Sequence, residues 1–162
     1  MKQKRMISEY SSIIKSQDYM NELKAMAARI RRVSSSTPNE ATIEGRFDSE
    51  LFAFFRKYFE PLGFEYNPVK DKAIAKHVAK RPDTAIASLI IEFKQPSTLI
   101  TDGYKDKAVL QISKYLEEIA KKTESKMLEG YITDGTQGCF ITFFDGKIIR
   151  ESFLPLDEIT LD

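Results

Sequence analysis

The chain has 162 residues, with 25 Lys plus Arg against 24 Asp plus Glu, giving a formal net charge of +1. That length suits one domain with a real core, and the balanced charge leaves any basic surface to local placement rather than to an overall field. A single cysteine, Cys139, excludes an internal disulfide and fits a reducing cytoplasm, while a single histidine, His77, leaves a Ser-His-Asp triad or a His-rich zinc site without its partners.

The opening stretch MKQKRMISEYSSIIKSQ is charged, but no apolar segment of signal-peptide length follows it. No run approaches the ~18 apolar residues of a membrane span. The expectation is a cytoplasmic protein with no membrane segment. Residues 6–33 carry apolar positions at helical spacing and end in ARIRRVSSS, predicting one or two surface helices and a short linker. Arg29, Arg31 and Arg32 read as a solvated helix end that complements the helix dipole, with a phosphate-contacting patch as the sharper alternative.

In TPNEATIEGRFDSELFAFFRKYFEPLG, Thr37 is the expected N-cap, Pro38 the first helical residue, and Pro61 with Gly63 the stop. Ile43, Phe47, Leu51, Phe54, Phe55 and Tyr58 form one broad apolar face. A short strand is expected near residues 64–66. The lysine-rich segment that follows, up to residue 81, fits a helix, a loop or a strand. Leu89 to Phe93 is the strongest strand signal, with residues 82–86 as its partner arm. TDGYKDKAVLQISKYLEEIAKKTES predicts a second long helix with Ala108, Val109, Ile112, Leu116 and Ile119 inward. LEGYIT, CFITFF and KIIRESF predict three strands, the last two joined by the hairpin signal Asp145-Gly146. The order α, α, β, β, β, α, β, β, β implies an α/β fold, a mixed central sheet flanked by helices.

If residues 82–86 and 89–94 form a hairpin with Ala87-Ser88 at its tip, paired positions sum to 175 and Asp83 faces Glu92. Residues so opposed have Cβ atoms about 4.5 to 5.5 Å apart, and Lys94 joins the same face by alternation. Leu89, Ile91 and Phe93 then point to the core. Two carboxylates that close repel unless a cation lies between them, and oxygen ligands suit Mg²⁺ or Mn²⁺ with waters and phosphate oxygens completing the shell. A lysine alongside can orient or help deprotonate an attacking water and offset charge on a phosphate. The plainer alternative is an edge strand whose charges discourage aggregation, with Asp83 a turn residue after Pro82.

The set Pro82, Asp83, Glu92, Phe93 and Lys94 resembles the motif of the PD-(D/E)XK nuclease superfamily, as found in restriction-modification enzymes of type I and type II. The resemblance implies a restriction-endonuclease-like fold over residues 37–162, with residues 1–36 as an N-terminal helical extension, the whole a compact unit that could belong to a larger polypeptide. It implies Mg²⁺-dependent (or Mn²⁺-dependent) endonuclease cleavage of DNA, with Asp83 and Glu92 as metal ligands and Lys94 at the water or phosphate.

Helices ahead of the motif in that superfamily often carry a further acidic residue, for which Glu40 and Glu44 are joint candidates as metal ligands. Without the family, Glu40 completes a capping box with Thr37 and Glu44 is a solvated rim residue. Gln111 and Tyr115 are similar to the Q-x-x-x-Y element of type I restriction subunits and RecB-like nucleases. That likeness implies Gln111 near the metal or DNA backbone and Tyr115 in support; otherwise they read as a boundary residue and a core aromatic. GYITDG and FITFFDGKII look like the closing strands of those domains.

No sequence-reading motif or Walker loop is present, so specificity, methylase or motor functions are expected from other domains or subunits, and a homodimer is compatible with the reading. Two other classes stay open. One is a catalytically silent nucleic-acid-binding module of the same fold, using the basic stretches at 29–32 and 70–81. The other is a protein-interaction domain presenting the Phe-rich helix.

Overall fold

A computed structural model describes residues 11–36, 39–63, 66, 68–70, 84–86 and 89–156. Helix α1 (Gln17–Ser36) buries Tyr19, Met26, Ile30 and Ser34, a helical stripe. Helix α2 (Glu40–Tyr58) buries Ile43, Phe47, Glu50, Phe54 and Tyr58. Its N-cap is Asn39, not the expected Thr37: Asn39 is extended (φ −121°, ψ 122°) and its Oδ1 accepts from Ala41 N at 2.8 Å. Asn caps at least as well as Thr, so the helix starts two residues later than Thr37 and Pro38 imply. Glu40 becomes the first helical residue and so does not complete a capping box with Thr37. A 3₁₀ turn at Glu60–Leu62 ends at Gly63 in the left-handed region (φ 87°), matching the expected stop.

The first strand, β1 (Val69–Lys70), falls inside the lysine-rich segment whose structure the pattern left open, and Tyr66 is outside any strand. Strands β2 (Thr84–Ile86) and β3 (Leu89–Phe93) pair antiparallel as Thr84 with Ile91, Ala85 with Ile90 and Ile86 with Leu89. Every pair sums to 175, the register expected of the hairpin. Helix α3 (Asp102–Thr123) crosses to β4 (Met127–Thr133), which lies parallel to β3. A left-handed Glu124 (φ 54°) ends α3.

Strand β5 (Gln137–Phe144) returns antiparallel, and Asp145-Gly146, both at positive φ, turns it into β6 (Lys147–Arg150). The expected last strand, 147–153, stops at Arg150, and a further short strand follows beyond its expected end. After Glu151, whose N–H still donates to Phe140 O at 3.1 Å, the chain leaves β5 and re-pairs with its start through β7 (Leu154–Pro155), Leu156 N donating to Thr136 O at 3.0 Å. Two anchors explain the break: Phe153 packs against the α3 side of the sheet while Leu156 is buried on the other.

The sheet runs β1-β2-β3-β4-β5-β6, seven strands with β7, and is mixed and open. Its two faces bury separate cores. Ile91, Phe93 and Tyr131 pack under α1 and α2, where the Phe47 and Phe93 rings stand 5.3 Å apart. Ile90, Ile132 and Ile141 pack under Ile112 and Leu116 of α3. The α3 helix sits low on the sheet because Gly130 has no side chain: a Cβ there would stand 2.6 Å from Ile112 Cδ1 and 2.9 Å from its Cγ1.

Candidate functional site at the end of strand β3

Strand β3 is apolar on both faces until its end, because both faces are covered. The period-2 rule then puts Glu92 on the α3 side with Ile90. It is 3% exposed, a burial that costs a carboxylate several kcal/mol unless it is paired, by the order of magnitude for isolated ions. Two donors meet its Oε1. Lys94 Nζ donates to it at 2.6 Å, and Gln111 Nε2 makes a very short hydrogen bond to the same oxygen.

The Gln111 amide is oriented by its neighbours. Its Oε1 accepts from Lys94 Nζ at 3.1 Å, and its Nε2 also donates to Tyr115 Oη at 2.9 Å. One helical turn separates Gln111 from Tyr115, so both reach the same strand end. Lys94 lies one residue past β3, held by its backbone N–H donating to Thr133 O at 2.9 Å, which continues the parallel pairing with β4. Glu92, Lys94, Gln111 and Tyr115 therefore form one hydrogen-bonded cluster joining β3 to α3.

Glu40 and Glu44 ride on α2, whose buried residues Ile43 and Phe47 pack on the opposite face, against Phe93. The Lys94 and Gln111 hydrogen bonds to Glu92 and to each other link β3 and α3. Pro82 and Asp83 lie outside the described residues. Among the described residues, no group of three His, Cys, Asp or Glu side chains is arranged to hold a metal ion. The donors at hand, a carboxylate and an amide oxygen, are hard ligands of the kind Mg²⁺ takes, and Mg²⁺ commonly uses only one or two protein carboxylates.

Two further buried carboxylates escaped the sequence reading, and neither is free for chemistry. Asp134, at the end of β4, accepts at Oδ1 from Thr136 N (2.9 Å), Thr136 Oγ1 (2.7 Å) and Gln137 N (3.1 Å), so the DGTQG turn is wound around it. Glu50 on α2 takes Arg29 Nε at 2.9 Å and a very short contact from Arg46, while Arg29 Nη2 bonds Glu22 at 2.9 Å. Arg29 is thus neither a solvated helix end nor an open phosphate contact. The hydrogen bond to Glu50, then that to Glu22, holds its guanidinium above its ordinary pKa. The basic stretch at 70–81 lies outside the described residues apart from Lys70.

A pocket of about 180 Å³ opens beside Lys94 and Gln111, with Thr98, Leu99, Tyr104, Lys107 and Ala108 as its other walls. The sequence signal for it was the helical spacing 104, 107, 108, 111 just before the Q-x-x-x-Y element. A separate apolar cavity of about 200 Å³ lies on the other face, among Met20, Leu23, Phe47, Leu51 and Tyr131, and offers packing volume rather than reactive groups. Among the described residues, no helix is long and apolar enough to cross a membrane. No family model, curated protein or solved structure matches the chain.

Proposed function

We propose that the chain is a Mg²⁺-dependent (or Mn²⁺-dependent) DNA endonuclease domain of restriction-endonuclease-like fold. The observation that carries the reading is the convergence of Lys94 and Gln111, 17 residues apart in sequence, onto one carboxylate oxygen of Glu92 at the end of β3. A buried, hydrogen-bonded Glu-Lys pair with an amide is more than an edge strand needs to discourage pairing. Glu92, with Asp83 just ahead of β2 in the sequence and Glu40 or Glu44, would hold the ion. Bound there, the ion would lower the pKa of a water and offset phosphate charge.

The chain's own groups do the rest. Lys94 carries the positive charge that faces the phosphate, and Gln111 fixes where the Lys94 ammonium and the Glu92 carboxylate point, by bonding both and by being held in turn by Tyr115. In hydrolysis the water oxygen bonds to phosphorus, the P–O bond to the leaving oxygen breaks, and that oxygen gains a proton. Sequence recognition is assigned to another domain or subunit, since no groove-reading element accompanies the site among the described residues.

Supercoiled plasmid incubated with Mg²⁺ or Mn²⁺ tests the reading. Wild type is expected to nick or linearise it and Lys94→Ala to leave it intact. Equal inertness of both proteins ends the hydrolysis reading; salt-dependent DNA binding without cleavage then favours a silent nucleic-acid-binding module, and no binding favours a protein-interaction domain.

A further inference from the structure

The pocket beside Lys94 has a composition that the cluster at Glu92 does not use. Tyr104, 58% exposed, stands at its rim, with Lys107 Nζ 5.6 Å from the ring centroid. Leu99, buried, and Ala108, buried, supply apolar walls, and Thr98, Gln111 and Lys94 supply polar ones. Tyr104, Lys107, Ala108 and Gln111 are spaced i, i+3, i+4 and i+7 on α3, so one helical stripe runs from the aromatic ring to the cluster.

The opposite wall is built with care. After β3 the chain turns through Ser97, a non-glycine residue in the left-handed region (φ 61°), and Thr98 Oγ1 donates to Gln95 O at 2.7 Å. Leu99 is pinned to the turn after β4 by its N–H to Asp134 Oδ2 (3.4 Å) and by Gln137 Nε2 donating to its carbonyl (2.9 Å). This wall is held by the same turn that positions Lys94.

A volume of about 180 Å³ falls below the roughly 300–1,000 Å³ of sites that enclose a whole small molecule. It suits one planar ring. An exposed tyrosine offers such a ring a stacking face, the side-chain oxygens of Thr98 and Gln111 can accept from its N–H groups, and lysines at two sides meet the phosphates before and after it. That combination of aromatic platform and flanking cations is how single strands are held. A base within a duplex is already stacked on its neighbours and presents only its edge.

We propose that this pocket receives an unpaired nucleobase adjoining the phosphate at Lys94, so that the strand handled by the site is single-stranded. The proposal deepens the nuclease reading and rests on it only for placing the phosphate at Lys94. The test is fluorescence anisotropy in EDTA with a fluorescein-labelled single-stranded oligothymidylate and with a labelled duplex of the same length. Wild type, Tyr104→Ala, Tyr104→Phe and Lys107→Ala are compared.

Tyr104→Ala is expected to weaken the single strand by about fivefold or more, the loss of one stacked base, with Tyr104→Phe as wild type and duplex affinity unchanged. Lys107→Ala is expected to lower the slope of log affinity on log salt by about 0.7 for the single strand. The proposal falls if Tyr104→Ala binds the oligothymidylate like wild type, if it loses single strand and duplex alike, or if wild type does not bind the single strand. A Tyr104 effect in EDTA with no plasmid cleavage would keep the base pocket and end the hydrolysis reading; cleavage with an inert Tyr104 would do the reverse.

Discussion

Lys94 Nζ stands 2.6 Å from Glu92 Oε1, although Glu92 is the fourth residue of a five-residue strand and Lys94 lies one residue past its end. Lys94 is more open to solvent than Glu92, with side-chain exposures of 22% and 4%. Lys94→Met keeps the aliphatic stem but takes the ammonium away from the buried Glu92 carboxylate. We expect a loss of about 1–3 kcal/mol in denaturant unfolding. Glu92→Gln combined with Lys94→Met should lose less than the two single changes together, because the buried charge goes with its partner. Additive losses would show that the two are not coupled.

The closeness of α3 to the sheet depends on Gly130. Gly130→Ala forces its methyl against Ile112 and should cost about 1–3 kcal/mol as overpacking. Ile112→Val removes the Cδ1 that would be met first, so the double variant should recover at least about 0.5 kcal/mol relative to the sum of the singles. Urea titrations of the four proteins measure this; a sum without recovery would mean that the contact is not the cause.

Acid should weaken the ion pairs around Glu22 and Asp18, which tie α1 together through Arg29 and to α2 through Lys57 and Tyr58. The Arg29 hydrogen bond holds the Glu22 carboxyl below its ordinary 4.5, and the Tyr58 hydroxyl, then Lys57, hold Asp18 below 3.8. Both groups have folded pKa values under their unfolded ones, so their contribution is present above about pH 4.5 and is lost as pH falls through the folded values. Thermal melts of wild type and Glu22→Gln should separate above about pH 5 and converge as pH falls through the lowered folded pKa of Glu22. Parallel curves across that range would place the acid sensitivity elsewhere.

Cys139 should be a reporter of unfolding. It is 1% exposed, its Sγ bonds the Glu151 carbonyl at 3.1 Å, and burial pushes the thiol up to about 11. Since the thiolate is the reactive form, a disulfide reagent at about pH 8 should leave the native protein unlabelled and label it along the urea unfolding curve. Rapid labelling without urea would contradict that burial.

The parts of this fold that were legible in the sequence are those fixed by local pattern. The β2–β3 register followed from placing the hairpin tip at Ala87-Ser88 between the two apolar arms, even though Ala-Ser is a poor turn sequence. Asp145-Gly146 specified its hairpin because both residues accept positive φ. Long-range pairings were not legible. Nothing local marked Glu50 as the partner of Arg29, 21 positions earlier on another helix, or Asp134 as the hub of four donors. At the site, the spacing of Gln111 and Tyr115 on one helix suggested a unit, but only folding brings Gln111 to Glu92.

Gly135, at φ 77°, has no room for a Cβ, which would stand 1.8 Å from Ser34 Oγ near the end of α1. Its N–H in turn donates to Thr133 Oγ1 at 2.9 Å, and the Thr133 carbonyl holds the backbone of Lys94. The last turns of α1 therefore brace, through two residues, the place where the lysine leaves the sheet. Trimming the chain from its front should loosen the end of β3 before it removes any residue of the Glu92 cluster, because the Ser34 contact at Gly135 goes with α1.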